Sequence, residues 1–116
     1  MSNVRIYHNP RCSKSRQTLS LLEEKGINLT IVDYLNITPS VDELTTIIDQ
    51  LNFTPRELLR KTEAIYKELN LKDTSLSDEQ LIQAMCDNPK LIERPIVIHN
   101  NQAKIGRPPE SVLELF

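Results

Sequence analysis

The first 35 residues restrict the fold more than any other part of the chain. "VRIY" (Val4 to Tyr7) is short and β-prone, and "NPRCSKSRQTLSLLEEKG" follows with apolar positions at Leu19 and Leu22 and a glycine, Gly26, where a helix should stop. "INLTIVDYL" is then a second β-rich run. Strand, helix and strand in that order form a βαβ unit, whose parallel strands need the helix as a crossover. An α/β fold is predicted before the rest of the chain is read.

The middle of the sequence is helical by its caps. "SVDE" (Ser40, Glu43), "TPRE" (Thr54, Glu57) and "SDEQ" (Ser77, Gln80) each have the form of a capping box, in which the N-cap and N3 side chains satisfy each other's orphan amides. Three such boxes predict three helix starts. Leu44, Ile47, Ile48 and Leu51 occupy one face of the first, and Leu81, Ile82, Met85 and Cys86 line the third before "DNP" ends it. "RPIVIHNNQAKIG" gives an apolar strand, an Asn100-Asn101 turn and a second short strand, and "PPESVLELF" closes the chain as a Pro-led helix. The expected architecture is a single domain, 1–116. A thioredoxin-like core (βαβ, then ββα) comes from about 1–38 and 90–116, with an all-helical insertion at about 39–89 between the second and third strands.

Charge narrows the function. With 116 residues and a formal net charge of −2, the chain lacks the net positive charge of a general nucleic-acid or anionic-membrane binder. No apolar run reaches the ~18–20 residues of a membrane span, and the N-terminus lacks a signal-peptide layout, so the expected address is cytoplasmic. Two histidines, two cysteines and no CxxC pair leave no expected metal site, and a cytoplasmic setting disfavours a structural disulfide between Cys12 and Cys86.

Against that acidic background, residues 1–22 contain no Asp or Glu but hold Arg5, Arg11, Lys14 and Arg16 around Cys12. Cys12 falls between a strand and a helix, where the helix dipole and nearby cations lower a thiol pKa from ~8.5 to as little as ~3.5. This pattern predicts a reactive thiolate. In Cys12-x-x-Ser15 a hydroxyl stands where a dithiol motif would have its second cysteine, so an oxidised or loaded Cys12 must be discharged by an external thiol. Ser15 is placed to hydrogen-bond the thiolate or a bound anion, and His8 to pair with the thiolate or pass protons. Cys86 reads as a core residue and His99 as a solvated turn residue.

Four blocks in order extend this reading: "YHNPRCSKSR" (Tyr7 to Arg16), "LLRK" (Leu58 to Lys61), "ERPIVI" (Glu93 to Ile98) and "IGRPPE" (Ile105 to Glu110). With them the chain resembles, over essentially its whole length, the arsenate reductase family that uses glutathione and glutaredoxin, and most closely its short members. The resemblance implies a thioredoxin-like core with a helical insertion and a cysteine, here Cys12, that attacks the arsenic of arsenate. It also implies three oxyanion-binding arginines, matching Arg60, Arg94 and Arg107, and a cis-proline facing the thiol, matching Pro95. Guanidinium groups suit the task because they are permanently charged, planar and forked.

The resemblance therefore implies reduction of arsenate or a similar oxyanion. Glutathione would be the reducing co-substrate, a glutaredoxin the recycling partner, and no bound metal, flavin or nicotinamide would take part. Two other functions fit parts of the pattern. One is a glutathione-dependent thiol transferase of the same fold, for which three arginines are more charge than one glutathione needs. The other is a redox regulator resembling the Spx-type proteins that bind RNA polymerase, whose typical CxxC switch is missing here.

Overall fold

In the computed structural model, which describes residues 4–116, the chain separates into two compact units, residues 4–37 with 94–116 and residues 38–93. The first unit is built on a four-stranded sheet of order β2-β1-β3-β4, with β1 Val4–Tyr7, β2 Leu29–Val32, β3 Ile96–His99 and β4 Gln102–Ile105. β1 pairs in parallel with β2, Ile6 opposite Ile31, and antiparallel with β3, Ile6 opposite Val97. The β1–β2 connection carries α1, Ser13–Glu24, which ends as Gly26 adopts φ 73°. Only glycine enters that left-handed region without steric cost.

β3 and β4 form a hairpin whose two loop residues, Asn100 and Asn101, have φ of 52° and 62°. A two-residue loop with positive φ at both positions matches the right-handed twist of the strands, and asparagine tolerates it well. The core of this unit is Val4, Ile6, Leu22, Val97, Val112 and Leu115, with Leu19, Ile27 and Leu29 packed against it. The last two buried members belong to Pro109–Leu115, a 3₁₀ helix rather than the expected α-helix.

The second unit contains α2 Val41–Leu51, α3 Pro55–Leu58, α4 Ala64–Glu68 and α5 Asp78–Asp87. All three expected caps are at helix starts. Thr54 with Glu57 and Ser77 with Gln80 close as full capping boxes, while Ser40 accepts from the Glu43 amide. The Thr54 box opens only one turn of helix, because Leu59 is already extended and bridges Ile92. α4 carries no side-chain cap at its start, so the signal that marked the other helices is missing there. Leu44, Ile47, Ile48 and Leu51 of α2 are buried, as are Leu81, Ile82 and Met85 of α5, and the two helices pack on each other. Cys86 is half-buried, at the margin of this core. Among the described residues, no helix is long and apolar enough to cross a membrane.

Candidate active site

Cys12 is the N-cap of α1, with extended backbone at φ −92° and ψ 123°. The loop that delivers it is tied at both ends. The His8 amide donates to the Val32 carbonyl at 3.1 Å, continuing the β1–β2 ladder, and the Cys12 amide donates to the Asn9 carbonyl at 3.0 Å. The Asn9 side chain accepts from the Arg11 amide at 3.0 Å, and the Arg16 guanidinium donates to the Pro10 carbonyl at 2.9 Å. Ser15, wholly buried in the first turn, takes the Asn9 amide on its hydroxyl oxygen at 3.0 Å and meets His8 Nδ1 at 2.6 Å. The backbone leading to the thiol is therefore fixed by its own side chains.

Two arginines reach the sulfur from the opposite segments of the same unit. Arg107 donates from Nε to the Arg94 carbonyl at 2.9 Å, which fixes the plane of its guanidinium, and from Nη2 to Cys12 Sγ at 3.4 Å. Arg94 also hydrogen-bonds the thiol. Burial alone would raise the thiol's pKa. The Ser15 amide at the helix start, the Arg94 hydrogen bond and the charges of Arg107 and Arg94 outweigh it, so the pKa lies below the ordinary value. Cys12 makes no strict capping hydrogen bond with its side chain. The Ser15 amide therefore acts chiefly as the positive end of the helix.

Both arginines precede prolines, and the Arg94–Pro95 and Arg107–Pro108 peptide bonds are cis. Between them sits Gly106, whose amide donates to the Pro95 carbonyl at 3.0 Å. A Cβ at Gly106 would overlap Thr18 Oγ1 and lie 2.8 Å from Pro95 Cγ. The absent side chain lets the Arg107 segment lie directly on α1 and on Pro95. This interlock escaped the reading of the sequence. The available signal was scarcity, since the chain has only two glycines and each of them marks a special position.

The other predicted residues fall differently. His8 is buried and its Nδ1 is engaged by Ser15 rather than by the sulfur. Burial, reinforced by the charge of Arg16 and opposed by Asp33 and Glu23, lowers its pKa, which favours the neutral ring over the imidazolium an ion pair would need. Ser15 acts on the thiol through its backbone amide, because its hydroxyl faces His8 and Asn9.

Arg60 belongs to the helical unit. There the Leu58–Arg60 segment runs against Leu91–Glu93, with the Arg60 amide on the Leu91 carbonyl and the Glu93 amide on the Leu58 carbonyl. That pairing sets Arg60 Nη1 2.5 Å from Glu93 Oε1, and Arg60 Nε lies 3.4 Å from Glu63 Oε2. Burial disfavours its charge, but Glu93 and Glu63 more than compensate and raise its pKa.

His99, expected in solvent, is buried, bonded through Nδ1 to the Leu115 carbonyl at 2.8 Å and stacked on Phe116. Cys12 and Cys86 are both free thiols, and burial, followed by the negative charges of Asp87 and Glu43, raises the pKa of Cys86. The fold thus shifts the two thiols in opposite directions.

A β2-β1-β3-β4 sheet, a cysteine at the start of the first crossover helix and a cis-proline opening the third strand define a thioredoxin-like protein with a single-cysteine site. Comparison with known proteins narrows this class. A model of the ArsC family matches residues 7–115, and the chain belongs to that family. The arsenate reductase of Haemophilus influenzae is 51% identical over 115 residues, covering 98% of this chain and 99% of that one. The uncharacterized protein YfgD of Escherichia coli K12 is 58% identical over 113 residues, covering 97% and 95%. Among solved structures, an arsenate reductase from Vibrio cholerae superposes with a TM-score of 0.96 at 55% identity, covering 98% of each chain.

Proposed function

We propose that this protein reduces arsenate to arsenite, with Cys12 as nucleophile and electrons supplied by glutathione and a glutaredoxin. The observation that carries the reading is the meeting of a thiol whose pKa is lowered with two arginines, Arg94 and Arg107, in one unit of an ArsC-family chain. Thiolate and guanidinium groups suit an anionic electrophile. The cations that stabilise the sulfur also offer forked donors to tetrahedral oxygens, and they would stabilise the charge that shifts onto oxygen as sulfur attacks. Arg60 is the third arginine of the family pattern, and we assign it to the same task.

In this mechanism the Cys12 thiolate forms an S–As bond, and one arsenate oxygen leaves as water with protons from the anion and solvent. Two external thiols then supply two electrons, so that arsenate and two thiols give arsenite, one disulfide and water, and Cys12 returns to the thiol. His8 supports the loop in its neutral form and is not assigned the proton transfer. The external thiols are required because position 15 holds serine and the pKa of Cys86 is raised, leaving it mostly protonated and a poor resolving thiol.

The test is arsenate-dependent oxidation of glutathione, with glutaredoxin supplied or omitted and Cys12→Ser as control. Turnover that needs arsenate, is promoted by glutaredoxin and is lost in Cys12→Ser is expected. Glutathione-dependent reduction of a model disulfide without any arsenate turnover would replace this reading with a plain thiol transferase.

A further inference from the structure

Residues 38–93, the helical unit, carry eleven Asp and Glu against six Lys and Arg. Three of those six cations nonetheless line one cavity. It has a volume of about 340 Å³ and is formed by Lys61, Tyr66, Lys67, Asn70 and Lys72, so every charged residue on its walls is a lysine. The other three cations are engaged elsewhere. Arg56 donates to the Leu71 and Asp73 carbonyls at 2.8 and 3.0 Å, Arg60 is held between Glu63 and Glu93, and Lys90 is also engaged.

The backbone that presents these lysines is fixed without them. Lys61 follows Arg60, whose amide is held by the Leu91 carbonyl at 2.8 Å. α4 ends in a Schellman arrangement: Asn70 takes φ 52°, its amide donates to the Lys67 carbonyl, and the Leu71 amide donates to the Tyr66 carbonyl, both at 3.0 Å. Tyr66 and Leu71 are buried beneath the turn, and Arg56 pins the carbonyls on either side of Lys72.

Lysines near a helix C-terminus are ordinarily explained by the orphan carbonyls there. Here those carbonyls are taken. The Ile65, Tyr66 and Lys67 carbonyls accept from the Leu69, Leu71 and Asn70 amides, the Asn70 carbonyl accepts from the Asp73 amide, and Arg56 occupies those of Leu71 and Asp73. Among the described residues, no hydrogen bond or ion pair engages the ammonium groups of Lys61, Lys67 or Lys72. Three like charges around one concavity repel one another, and a bound anion would remove that cost.

We propose that this cavity is a second anion site, separate from Cys12, and that it binds a compact oligophosphate, either free or as the head of a nucleotide. A lysine ammonium is a point charge with three rotatable donors on a flexible stem. A phosphate group carries up to about two charges and three acceptor oxygens, so two or three joined phosphates engage three ammoniums more fully than a pair of carboxylates does. The Asn70 side chain adds a neutral donor on the same wall. The volume is at the lower end of the ~300–1,000 Å³ of small-molecule sites, which suits a di- or triphosphate group.

The test is an amide-resolved NMR titration of the full chain with tripolyphosphate, pyrophosphate, ATP and citrate, at pH 7 and low ionic strength. Saturable shifts at Lys61 and from Tyr66 to Lys72 are expected, with tripolyphosphate bound more tightly than pyrophosphate and with affinity falling as salt is raised. Lys67→Gln with Lys72→Gln should weaken tripolyphosphate about tenfold, since an exposed charge pair contributes up to about fivefold each. Lys25→Gln with Lys104→Gln makes the same change in net charge on exposed lysines of the other unit, and should leave the affinity within about twofold.

Absence of saturable shifts at these amides overturns the proposal. So does binding that survives Lys67→Gln with Lys72→Gln, that weakens equally in both double variants, or that is lost in Arg107→Gln. Citrate bound more tightly than tripolyphosphate overturns the phosphate assignment. Where the site holds, ATP bound more tightly than tripolyphosphate identifies a nucleotide as the source, and equal or weaker binding identifies the free oligophosphate. The titration contains neither arsenate nor a thiol, so the proposed reductase activity stands or falls separately.

Discussion

Replacing Gly106 by alanine should destabilise the fold and loosen the hold of Arg107 on the thiol. The new Cβ would overlap Thr18 Oγ1, and it would lie 2.8 Å from Pro95 Cγ and 3.1 Å from Thr18 Cγ2. Neither neighbour yields easily. Thr18 is wholly buried and donates to the Lys14 carbonyl at 2.8 Å, and Pro95 is buried at the start of β3. Gly106 does not use the left-handed region, so the cost is steric rather than conformational. Overpacking of this kind costs about 1–3 kcal/mol, offset by about 0.4–1 kcal/mol from the stiffer unfolded chain.

A net loss of about 1–2 kcal/mol corresponds to a fall in Tm of roughly 4–8 °C for a chain near this size, read by calorimetry. The displaced segment also carries Arg107, so iodoacetamide labelling of Cys12 should titrate at higher pH. Thr18→Ala removes both threonine atoms from the clash. The double variant should therefore recover stability beyond the sum of the single effects by about 1 kcal/mol, the usual signature of contacting residues. A Gly106→Ala protein that melts with the wild type, or a strictly additive double variant, would refute the interlock.

Lysine at Arg94 or at Arg107 keeps the charge but loses the fork, and each should lower kcat/KM for arsenate about tenfold or more, equivalent to about 1–3 kcal/mol, with no recovery on raising pH. Near-normal kinetics in both would remove the arginine site. Because the fold lowers the pKa of Cys12, its ionised form stabilises the native state above the unfolded-state pKa, and that contribution fades as pH falls through the folded pKa. The stability advantage of wild type over Cys12→Ser in urea should accordingly grow with pH across that window, and a difference flat with pH would count against the lowered pKa. His8 is also lowered, by burial and then by Arg16, so acidification through the unfolded value of about 6.5 must charge it at the expense of the fold. Between pH 7.5 and 5, His8→Gln should lose less stability than wild type; equal losses would mean that the buried ring does not contribute.

What the sequence determined by itself was whatever acts within a few residues. The β1–α1–β2 order, the glycine stop at Gly26, the Asn100–Asn101 hairpin and the caps at Ser40, Thr54 and Ser77 all follow from local backbone chemistry, and each is at its expected place. The cationic bias around Cys12 was legible for the same reason, since helix position and neighbouring charges are written along the chain. Where local signals are weak or compete with packing, the reading fell short. Nothing marked α4, the Thr54 box could not show that Leu59 would leave the helix to bridge Ile92, and the terminal segment took 3₁₀ form.

Only the tertiary structure decided how the charges are used. Arg107 reaches Cys12 from 95 residues away, through a segment whose path depends on Gly106 meeting Thr18 and Pro95. Arg60, which the family resemblance marked as an oxyanion ligand, is held between Glu63 and Glu93 because the Leu58–Arg60 and Leu91–Glu93 segments pair. His8 read as a partner of the thiolate and His99 as a solvated turn residue, but both are buried, His8 against Ser15 and His99 against the Leu115 carbonyl and the Phe116 ring. A side chain's charge is fixed by its type, but its desolvation and its partners depend on segments distant in sequence, and those are settled only when the chain folds.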